Sequence, residues 1–409
     1  MNLYIFNETR YGAIYGVGTY IRELTATLKN SDINICMIHL FSDRTKIYAE
    51  EIDGIKYWFF PAPLSGQQQH QEQWEIYHRN IVYLLQLHIQ DKKNLIFHLN
   101  YNQKGQLAEE LKKVFDCKIV VTVHYLSWCL KLSGNVTRFR KILASEVNVQ
   151  LDDVTNTIEE SYQLEKTLFE KADHIICLSE NTRQILQDDY QIEPDKIAVI
   201  YNGLIDRNSI SDKLKLRQKY HIPDVPVFLF AGRLDDIKGL KYVLWAFKKM
   251  LKTQSNCHFI IAGNGAFDIY MKECEDIWMH VTWTGMIDRE RLYDLYSIAD
   301  IGVMPSFHEQ CSYVAIEMMM HGVPLIASTT TGLKETVEDG ITGLHVPVIE
   351  YNDRAEINTD LLAEKILYLL QNPDERQRMG TNARKRYETV YSSEIFRKNM
   401  LDFYHSLYE

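Results

Sequence analysis

Short apolar runs alternate with longer segments of helical periodicity along the first half of the chain. Runs of this kind, bounded by polar residues, are typical of buried strands. They lie at residues 3–6, 33–40, 95–99, 118–123, 174–178 and 197–200. Because strands that alternate with helices form parallel sheets, the pattern predicts an α/β fold with a doubly wound parallel sheet.

A second series of strand-like runs indicates a second domain. It comprises residues 225–231, 258–262, 281–284, 300–304 and 323–327. A polar stretch at 204–224 separates the two series, and a chain of 409 residues exceeds what one core usually organises. We therefore predict domains at 1–204 and 205–383, followed by a helical tail at 384–409. The tail carries aromatic residues at Phe396, Phe403, Tyr404 and Tyr408.

Two cations lie near the first strand of the second series. Arg233 follows the apolar run 227–232, and in an open parallel sheet ligands bind at the carboxyl ends of the strands. Lys238 comes just before a helical pattern that starts at Gly239. A helix N-terminus carries partial positive charge, so a lysine there is repelled unless an anion shares the site. The two cations predict phosphate binding, and solvated surface charges are the alternative.

Two glutamates indicate a sugar-binding site farther along the chain. Glu309 lies in a predicted loop, and Glu317 lies within an apolar helical run at 314–320. Burying a carboxylate without partners is costly, so such residues usually form ion pairs or hold a ligand. An ionised carboxylate accepts hydrogen bonds from two hydroxyls, which suits a ribose or a hexose. A salt bridge from Glu317 to a neighbouring Lys or Arg is the alternative.

Together, these motifs resemble the family-4 (GT4) retaining glycosyltransferases, which have the GT-B fold. Residues 230–239 are similar to the family's diphosphate-binding elements, and Glu309 with Glu317 resembles its paired-glutamate motif. The resemblance implies that Arg233 and Lys238 bind the diphosphate, Glu309 the donor-sugar hydroxyls and Glu317 the ribose. It also implies two Rossmann-like parallel-sheet domains that face a central cleft, with the last helix crossing back to the first domain.

Further stretches resemble the family in the expected order. Residues 196–203 are similar to its strand ending in Pro-Asn-Gly, with Tyr201 in place of the proline. Residues 283–287 resemble the stretch whose backbone meets the nucleotide base, and 331–335 a Gly-Gly-Leu-x-Glu turn with Thr331 as its first residue. The two substitutions leave the local loop geometry open. The resemblance thereby adds four donor-binding residues, Asn202, Gly232, Met286 and Ile287.

The first half offers a glycine turn and a histidine as further candidates. Gly16 and Gly18 open a helical pattern after the first strand, and such a turn lets backbone amides approach a phosphate or a sugar. The third glycine of a dinucleotide fingerprint is absent, because Ile21 takes its place. His124 ends the strand predicted at 118–123. The family resemblance places here a histidine that contacts the donor sugar, and a bond to a neighbouring carbonyl is the alternative.

Composition narrows the class of protein. The formal charge of -10 argues against general nucleic-acid binding, and 46% hydrophobic residues suffice for two cores. Seven cysteines without a close Cys-x-x-Cys pair favour reduced thiols in a cytoplasmic protein. The apolar run among the first residues is too short, and the acidic Glu8 comes too early, for a signal peptide. No run of about eighteen apolar residues exists to span a bilayer. We expect a cytoplasmic enzyme, with peripheral contact at the inner face of the membrane left open.

The expected chemistry needs neither a metal ion nor a cofactor. In glycosyl transfer a nucleoside diphosphate leaves the anomeric carbon, and preplaced cations stabilise the growing charge. Enzymes that use a metal for this purpose typically carry Asp-x-Asp, and no two aspartates here are separated by one residue. We therefore expect no metal site. Resemblance alone implies retention of the anomeric configuration and a UDP or GDP sugar as the donor.

The acceptor is the least constrained part of the prediction. No acidic residue lies between Asp116 and Glu146, where basic and apolar residues are interspersed. This segment, residues 117–145, could contact an anionic lipid acceptor or acidic membrane lipids, or be an amphipathic helix with solvated basic residues. The N-terminal region also resembles a subgroup of the family found beside peptide-maturation enzymes. The acceptor could thus be a saccharide, a lipid-linked saccharide or a peptide.

Two other classes of function share the expected fold. One is a nucleotide-sugar epimerase or phosphorylase, and the other is a noncatalytic partner that binds a nucleotide sugar. An epimerase would convert the donor without an acceptor and would not need the pattern around Glu309. A binding partner would saturate with donor and release no nucleotide. The combination of Arg233, Lys238 and Glu309 favours glycosyl transfer.

Overall fold

The structure, a computed structural model, describes residues 1–8, 16–63, 71–102, 104–144, 153–208 and 212–409. The chain forms two compact units. The first comprises Met1–Trp128, Ser145–Gly203 and Ser393–Glu409, and the second comprises Cys129–Ala144 and Leu204–Ser392. The sequence prediction had the second domain at 205–383; in the structure the second unit also takes a segment from the first half, and the chain re-enters the first unit at Ser393.

The first unit is built on one sheet. Among the described residues its strands are β1 (Asn2–Glu8), β2 (Asn34–Ser42), β3 (Tyr48–Ile52), β4 (Ile55–Pro61), β5 (Leu95–Leu99), β6 (Cys117–Val123), β7 (His174–Cys177) and β8 (Ile197–Val199). Their order is β3-β4-β2-β1-β5-β6-β7-β8, and neighbours pair in parallel except for the antiparallel β3 and β4. The predicted parallel sheet is confirmed.

The second unit has its own parallel sheet. In the described part of the chain it contains β9 (Val227–Ala231), β10 (His258–Ala262), β11 (Val281–Gly285), β12 (Ile301–Met304), β13 (Leu325–Ser328) and β14 (Gly343–Val346), in the order β11-β10-β9-β12-β13-β14. A separate antiparallel hairpin joins β15 (Val348–Glu350) to β16 (Ala355–Ile357). Every residue of β9 and β10 is buried, as expected of parallel strands that are covered on both faces.

Helices connect these strands. In chain order the described residues form α1 (Gly16–Leu28), α2 (Gln71–His88), α3 (Gly105–Val114), α4 (Ser127–Lys131), α5 (Val136–Leu143), α6 (Asp153–Lys171), α7 (Glu180–Asp188), α8 (Lys213–Lys219), α9 (Leu240–Leu251), α10 (Phe267–Lys272), α11 (Arg289–Ile298), α12 (Tyr313–Met320), α13 (Thr331–Thr336), α14 (Thr359–Gln371), α15 (Pro373–Arg386) and α16 (Ser393–Ser406). A π-helical turn, Tyr387–Tyr391, lies between α15 and α16.

The last helix, α16, belongs to the first unit, as predicted. Phe396 packs edge-on against Tyr20 of α1, with 5.8 Å between ring centroids. The Tyr404 hydroxyl lies 2.6 Å from His98 Nδ1, and His98 Nε2 lies 2.6 Å from the Thr122 hydroxyl. Burial lowers the pKa of His98 to about 3, so its imidazole is neutral and offers one donor and one acceptor. These buried hydrogen bonds join the helix to the sheet.

Part of the basic and apolar segment of the first half, Cys129–Ala144, belongs to the second unit. The Asn135 side chain caps α5 and also donates to the backbone carbonyls of Tyr351 and Arg354, at 2.7 and 3.1 Å. Arg138 donates to the Asp353 carbonyl at 3.0 Å, and Lys141 donates to Asn352 Oδ1 at 2.6 Å. These two side chains bind the loop between β15 and β16 through exposed hydrogen bonds. The buried residues of α5 are Phe139 and Ile142, as in an amphipathic helix, and contact with a lipid stays a prediction.

The structure bears on the cysteines and on possible membrane-spanning helices, which the composition raised. All seven cysteines are free thiols in the structure, and burial raises the pKa of Cys36 to about 12. Within the described ranges, no helix combines the length and the apolar character that a bilayer crossing requires.

Candidate functional site

The candidate site lies where the strand order of the second unit reverses. The neighbours of β9 are β10 on one side and β12 on the other, so the connections leave β9 and β12 in opposite directions. In open α/β sheets, ligands bind outside the carboxyl ends of strands at such a switch point. Arg233 and Lys238 follow β9, and Glu309 follows β12. The fold therefore brings these three predicted residues to one edge of the sheet.

Both cations form ion pairs with carboxylates. Lys238 Nζ contacts Glu309 Oε1, and the Ser306 hydroxyl donates to the same oxygen at 3.1 Å. Arg233 pairs with Asp235, at 2.9 Å between Nη2 and Oδ2. Burial raises the pKa of Asp235, while Arg233 and Lys238 lower it to a smaller extent. The site is therefore balanced in charge, and an incoming phosphate would have to exchange with these carboxylates.

A close backbone contact fixes the position of Lys238. The residue ends a short 3-10 turn, and Gly239 follows with a φ of 68°. Glu309 lies in the loop between β12 and α12, residues 305–312, which we call the Glu309 loop. A Cβ atom on Gly239 would lie 2.1 Å from the Pro305 carbonyl oxygen, so a side chain there would collide with this loop. The Phe307 amide also donates to the Ile237 carbonyl at 2.7 Å. The loops that carry Lys238 and Glu309 are thus joined through their backbones.

Gly239→Ala is expected to destabilise the protein more than Gly340→Ala. Both glycines have φ near 70°, but a Cβ on Gly340 meets no atom within 4 Å. Each variant bears the conformational cost of a left-handed alanine, about 1 kcal/mol. The collision with Pro305 adds about 1–3 kcal/mol or more in Gly239→Ala alone. Denaturant unfolding of the two variants measures the difference, and equal losses would contradict the close contact.

The backbone of the Glu309 loop is held by hydroxyls that the sequence analysis missed. Ser328 donates to the Ser306 carbonyl, and Thr330 donates to the Phe307 carbonyl. Thr331 donates to the Glu309 carbonyl and accepts from the Glu309 amide at 3.0 Å. The run of four hydroxyl residues at 328–331 was the available signal.

The structure shows how Thr331 replaces the first glycine of the family's turn. It adopts a φ of 26°, so a threonine takes the positive φ that the family's glycine would favour. Its hydroxyl makes the two bonds to Glu309 that a glycine could not make. The substitution therefore ties this turn to the candidate site.

Glu317 is buried on α12 and is held by tyrosines. The Tyr296 hydroxyl donates to its Oε2 at 2.8 Å, and the Tyr293 hydroxyl lies 3.5 Å from Oε1. The two tyrosines are three residues apart on α11 and so share one face of that helix. Burial, together with the nearby Glu317 carboxylate, raises the pKa of Tyr296 well above its usual value. The tyrosines were not predicted, and they fix the orientation of the carboxylate.

The remaining donor-binding candidates of the second unit lie farther along the sheet edge. The Gly232 amide donates to the Ala262 carbonyl at 2.9 Å, so it serves the contact between the ends of β9 and β10. Met286 and Ile287 follow β11 at the edge of the sheet, where Met286 is exposed and Ile287 is half-buried. Their roles in binding a donor stay predictions.

The candidates of the first unit lie at the carboxyl ends of its strands. His124 follows β6, and its Nε2 lies 3.0 Å from Oδ1 of Asn100, which follows β5. The ring of Tyr20 packs edge-on against it, with 4.7 Å between centroids. Burial, with a smaller contribution from nearby His98, lowers the pKa of His124 to about 3. The imidazole is therefore neutral, and its partner is a side-chain amide instead of the carbonyl considered from the sequence.

The predicted glycine turn is described only in part. Gly16 is the first residue of α1, and Gly18 lies within its first turn. Another glycine between β1 and α1, Gly12, lies outside the described residues. Asn202 is buried after β8. In the described part of the chain, no group of three or more His, Cys, Asp or Glu side chains is arranged to hold a metal ion.

Two family models match the chain, one in each half. The model of the Glycosyltransferase Family 4 matches residues 14–206. The model of the Glycosyl transferases group 1 matches residues 212–386. The second match contains Arg233, Lys238, Glu309 and Glu317, and the first contains His124.

Sequence relatives match over part of their length. An alpha-D-kanosaminyltransferase of Streptomyces kanamyceticus is 26% identical over 226 residues, which span 54% of this chain and 56% of the relative. An uncharacterized glycosyltransferase of Methanocaldococcus jannaschii is 28% identical over 239 residues, which span 56% of this chain and 59% of the relative. The matches thus span little more than half the length of these relatives.

Solved structures match along the whole chain. Sucrose-phosphate synthase from Thermosynechococcus elongatus superposes with a TM-score of 0.77 at 21% identity, covering 100% of this chain and 99% of that one. Anabaena HepE in complex with UDP-glucose superposes with a TM-score of 0.73 at 14% identity, covering 99% of this chain and 100% of that one. These likenesses show the shared GT-B fold of two Rossmann-like parallel-sheet domains. With one family model matching each half, the chain belongs to the glycosyltransferases of the group 1 and family 4 type.

Proposed function

We propose that the protein transfers a sugar from a nucleoside diphosphate sugar to an acceptor hydroxyl, with retention of the anomeric configuration and without a divalent cation. The observation that carries this proposal is the Lys238–Glu309 ion pair. It joins a cation suited to phosphate with a carboxylate suited to sugar hydroxyls. The pair lies at the switch point of the sheet, where a ligand is expected.

In the proposed reaction, the bond between the anomeric carbon and the diphosphate oxygen breaks. The acceptor oxygen bonds to the same face of that carbon, and the acceptor proton passes to the departing phosphate. Negative charge grows on this phosphate, and Arg233 and Lys238 stabilise it because they are already in place. Since both cations are paired in this structure, the diphosphate displaces Asp235 from Arg233 and Glu309 from Lys238. Glu309 is then able to accept hydrogen bonds from the sugar.

The other candidate residues supply binding. Glu317, oriented by Tyr296, accepts the ribose hydroxyls. A neutral His124 suits a sugar hydroxyl, since it offers one donor and one acceptor. The Gly16–Gly18 turn brings backbone amides to the phosphate or the sugar. Asn202, Gly232, Met286 and Ile287 complete the donor site, and the backbone at Met286 and Ile287 meets the nucleotide base.

A UDP sugar is the preferred donor in this proposal, with a GDP sugar second. Support comes from structural neighbours, since HepE is described in complex with UDP-glucose, and an Escherichia coli trehalose-6-phosphate protein is described with UDP-2-fluoro glucose. The acceptor is a saccharide, a lipid-linked saccharide or a peptide. A lipid-linked acceptor would place the enzyme at the inner face of the membrane.

Thermal unfolding with UDP, GDP and ADP sugars tests the donor half of the proposal. A ligand at about a hundred times its dissociation constant adds roughly 2.7 kcal/mol to stability. We expect one nucleotide class to raise the Tm, and the same class to release its nucleoside diphosphate when acceptor is present. Stabilisation without release, even with varied acceptors, would indicate a binding partner, and donor conversion without acceptor would indicate an epimerase.

Metal dependence and stereochemistry are tested with the donor so identified. Activity in excess EDTA is expected to equal activity in buffer, because the fixed cations carry the charge of the leaving group. NMR of the product is expected to show the anomeric configuration of the donor. Loss of activity on chelation that a divalent cation restores, or an inverted product, would contradict the corresponding part of the proposal.

A further inference from the structure

One side chain in the Glu309 loop is buried without polar partners. His308 is 6% exposed, and neither its Nδ1 nor its Nε2 has a hydrogen-bond partner among the described residues. Buried polar groups in native proteins are nearly always paired. The neighbouring backbone follows that rule, since the Phe307 carbonyl and both backbone groups of Glu309 are bonded. His308 is thus an exception within a loop whose backbone is well satisfied.

The chemistry of this imidazole fits a hydroxyl better than a phosphate. Burial lowers the pKa of His308 to about 4; Lys238 lowers it further, and Glu309 opposes the shift. The ring is therefore neutral at pH 7 and presents one donor and one acceptor. A hydroxyl group both accepts and donates, so it can pair with either nitrogen. A phosphate calls for cations, which Arg233 and Lys238 supply nearby.

A turn from the segment Cys129–Ala144 packs against this loop. Ser133 and Gly134 both have positive φ, at 50° and 70°. A Cβ on Gly134 would lie 2.3 Å from the Phe307 carbonyl oxygen and 3.6 Å from His308 Cβ. The next residue, Asn135, anchors the turn to the loop between β15 and β16. The Ser133–Gly134 turn therefore packs closely against the loop at Phe307 and His308.

We propose that His308 hydrogen-bonds a hydroxyl of the donor sugar, next to Glu309, and thereby helps to select the sugar. The inference rests on the proposed function and assigns a further binding residue within that site. The unpaired nitrogens gain their partner when the sugar binds. His308 thus contributes to binding of the sugar and not to binding of the nucleotide.

The test compares a nucleotide with its sugar conjugate in His308→Leu. Calorimetry measures the affinities of UDP and UDP-glucose, or of GDP and GDP-mannose if guanine nucleotides stabilise the wild type. Affinity for the sugar nucleotide is expected to fall about tenfold, since a hydrogen bond to a buried hydroxyl is lost. Affinity for the nucleotide alone is expected to stay within about threefold, a limit on the scale of a weak hydrogen bond. The Tm without ligand is expected to equal or exceed that of the wild type, because leucine leaves no unpaired polar group.

His308→Gln is the matched variant, because its amide keeps a donor and an acceptor. It is expected to recover part of the affinity for the sugar nucleotide. If leucine weakens nucleotide and sugar nucleotide equally, or lowers the Tm without changing either affinity, His308 has a structural role and the inference is wrong. If neither affinity changes, it is also wrong. A wild type that binds no nucleoside diphosphate sugar overturns the proposed function itself, and the inference with it.

Discussion

Lys238→Ala is expected to lower turnover by a factor of about 10² to 10³, the effect of removing one fixed group that stabilises a developing anion. The residue is held at the switch point by the Gly239 backbone contact and faces Glu309. Arg233 is not expected to take its place, because in the proposed reaction Arg233 already contacts the diphosphate beside Lys238. Steady-state kinetics with the donor identified by thermal unfolding measure the loss.

Lys238→Ala is expected to lower turnover more than it lowers folding stability. The side chains of Lys238 and Glu309 are 20% and 12% exposed, so their pair lies between a surface pair worth under about 1 kcal/mol and a buried one whose disruption costs about 3–5 kcal/mol. Lys249→Ala is the matched control, since Lys249 lies on α9 and pairs with Asp360 at the surface. A kinetic loss of under tenfold, or an equal loss in the control, would contradict the role of Lys238.

Glu309→Gln is expected to have opposite effects on transfer and on nucleotide binding. Glutamine keeps the shape of the side chain but loses charge-assisted hydrogen bonds to the sugar, worth about 1.5–3 kcal/mol, so kcat/KM should fall roughly 10- to 100-fold. The same change frees Lys238 from its carboxylate partner. Affinity for UDP or GDP alone should therefore stay equal or rise severalfold. Kinetics and calorimetry on the one variant measure both quantities.

The signs of these two effects separate a binding role from a structural one. If Glu309 only stabilised the loop, its loss would weaken nucleotide and sugar nucleotide together and lower the Tm. Glu356→Gln provides the control, because Glu356 pairs with Arg354 on the exposed hairpin. A fall in nucleotide affinity in Glu309→Gln alone would show that the carboxylate does not compete with phosphate for Lys238.

The sequence predicted most of the strands because their signals are local. Strands β9 and β10 are buried along their whole length, and each reads as an uninterrupted apolar run. Strand β3 was missed because it is exposed at the sheet edge and carries the polar sequence Tyr-Ala-Glu-Glu-Ile. The hairpin β15–β16 was missed because each of its strands has only three residues, which is too short for a recognisable apolar pattern.

The residues of the candidate site were also predicted only in part from the sequence. Arg233, Lys238, Glu309 and Glu317 were found because charges beside or within apolar segments stand out in a sequence. Their partners were not found: Asp235 had no distinguishing context, and Tyr296 looked like an ordinary residue of an apolar helix face. The placement of Cys129–Ala144 in the second unit was also invisible, because the contacts of Asn135 join residues more than two hundred positions apart.

By itself the sequence determined the alternation of strands and helices, the two parallel sheets and the identity of the charged residues, since these depend on burial and charge along neighbouring positions. Only the tertiary structure decided that each cation of the site is already paired, that hydroxyls of a distant turn hold the Glu309 loop, and that His308 lies buried without a polar partner. Such facts depend on atoms brought within about 3 Å by packing of segments far apart in the chain, at hydrogen-bonding distance. No local pattern encodes that distance.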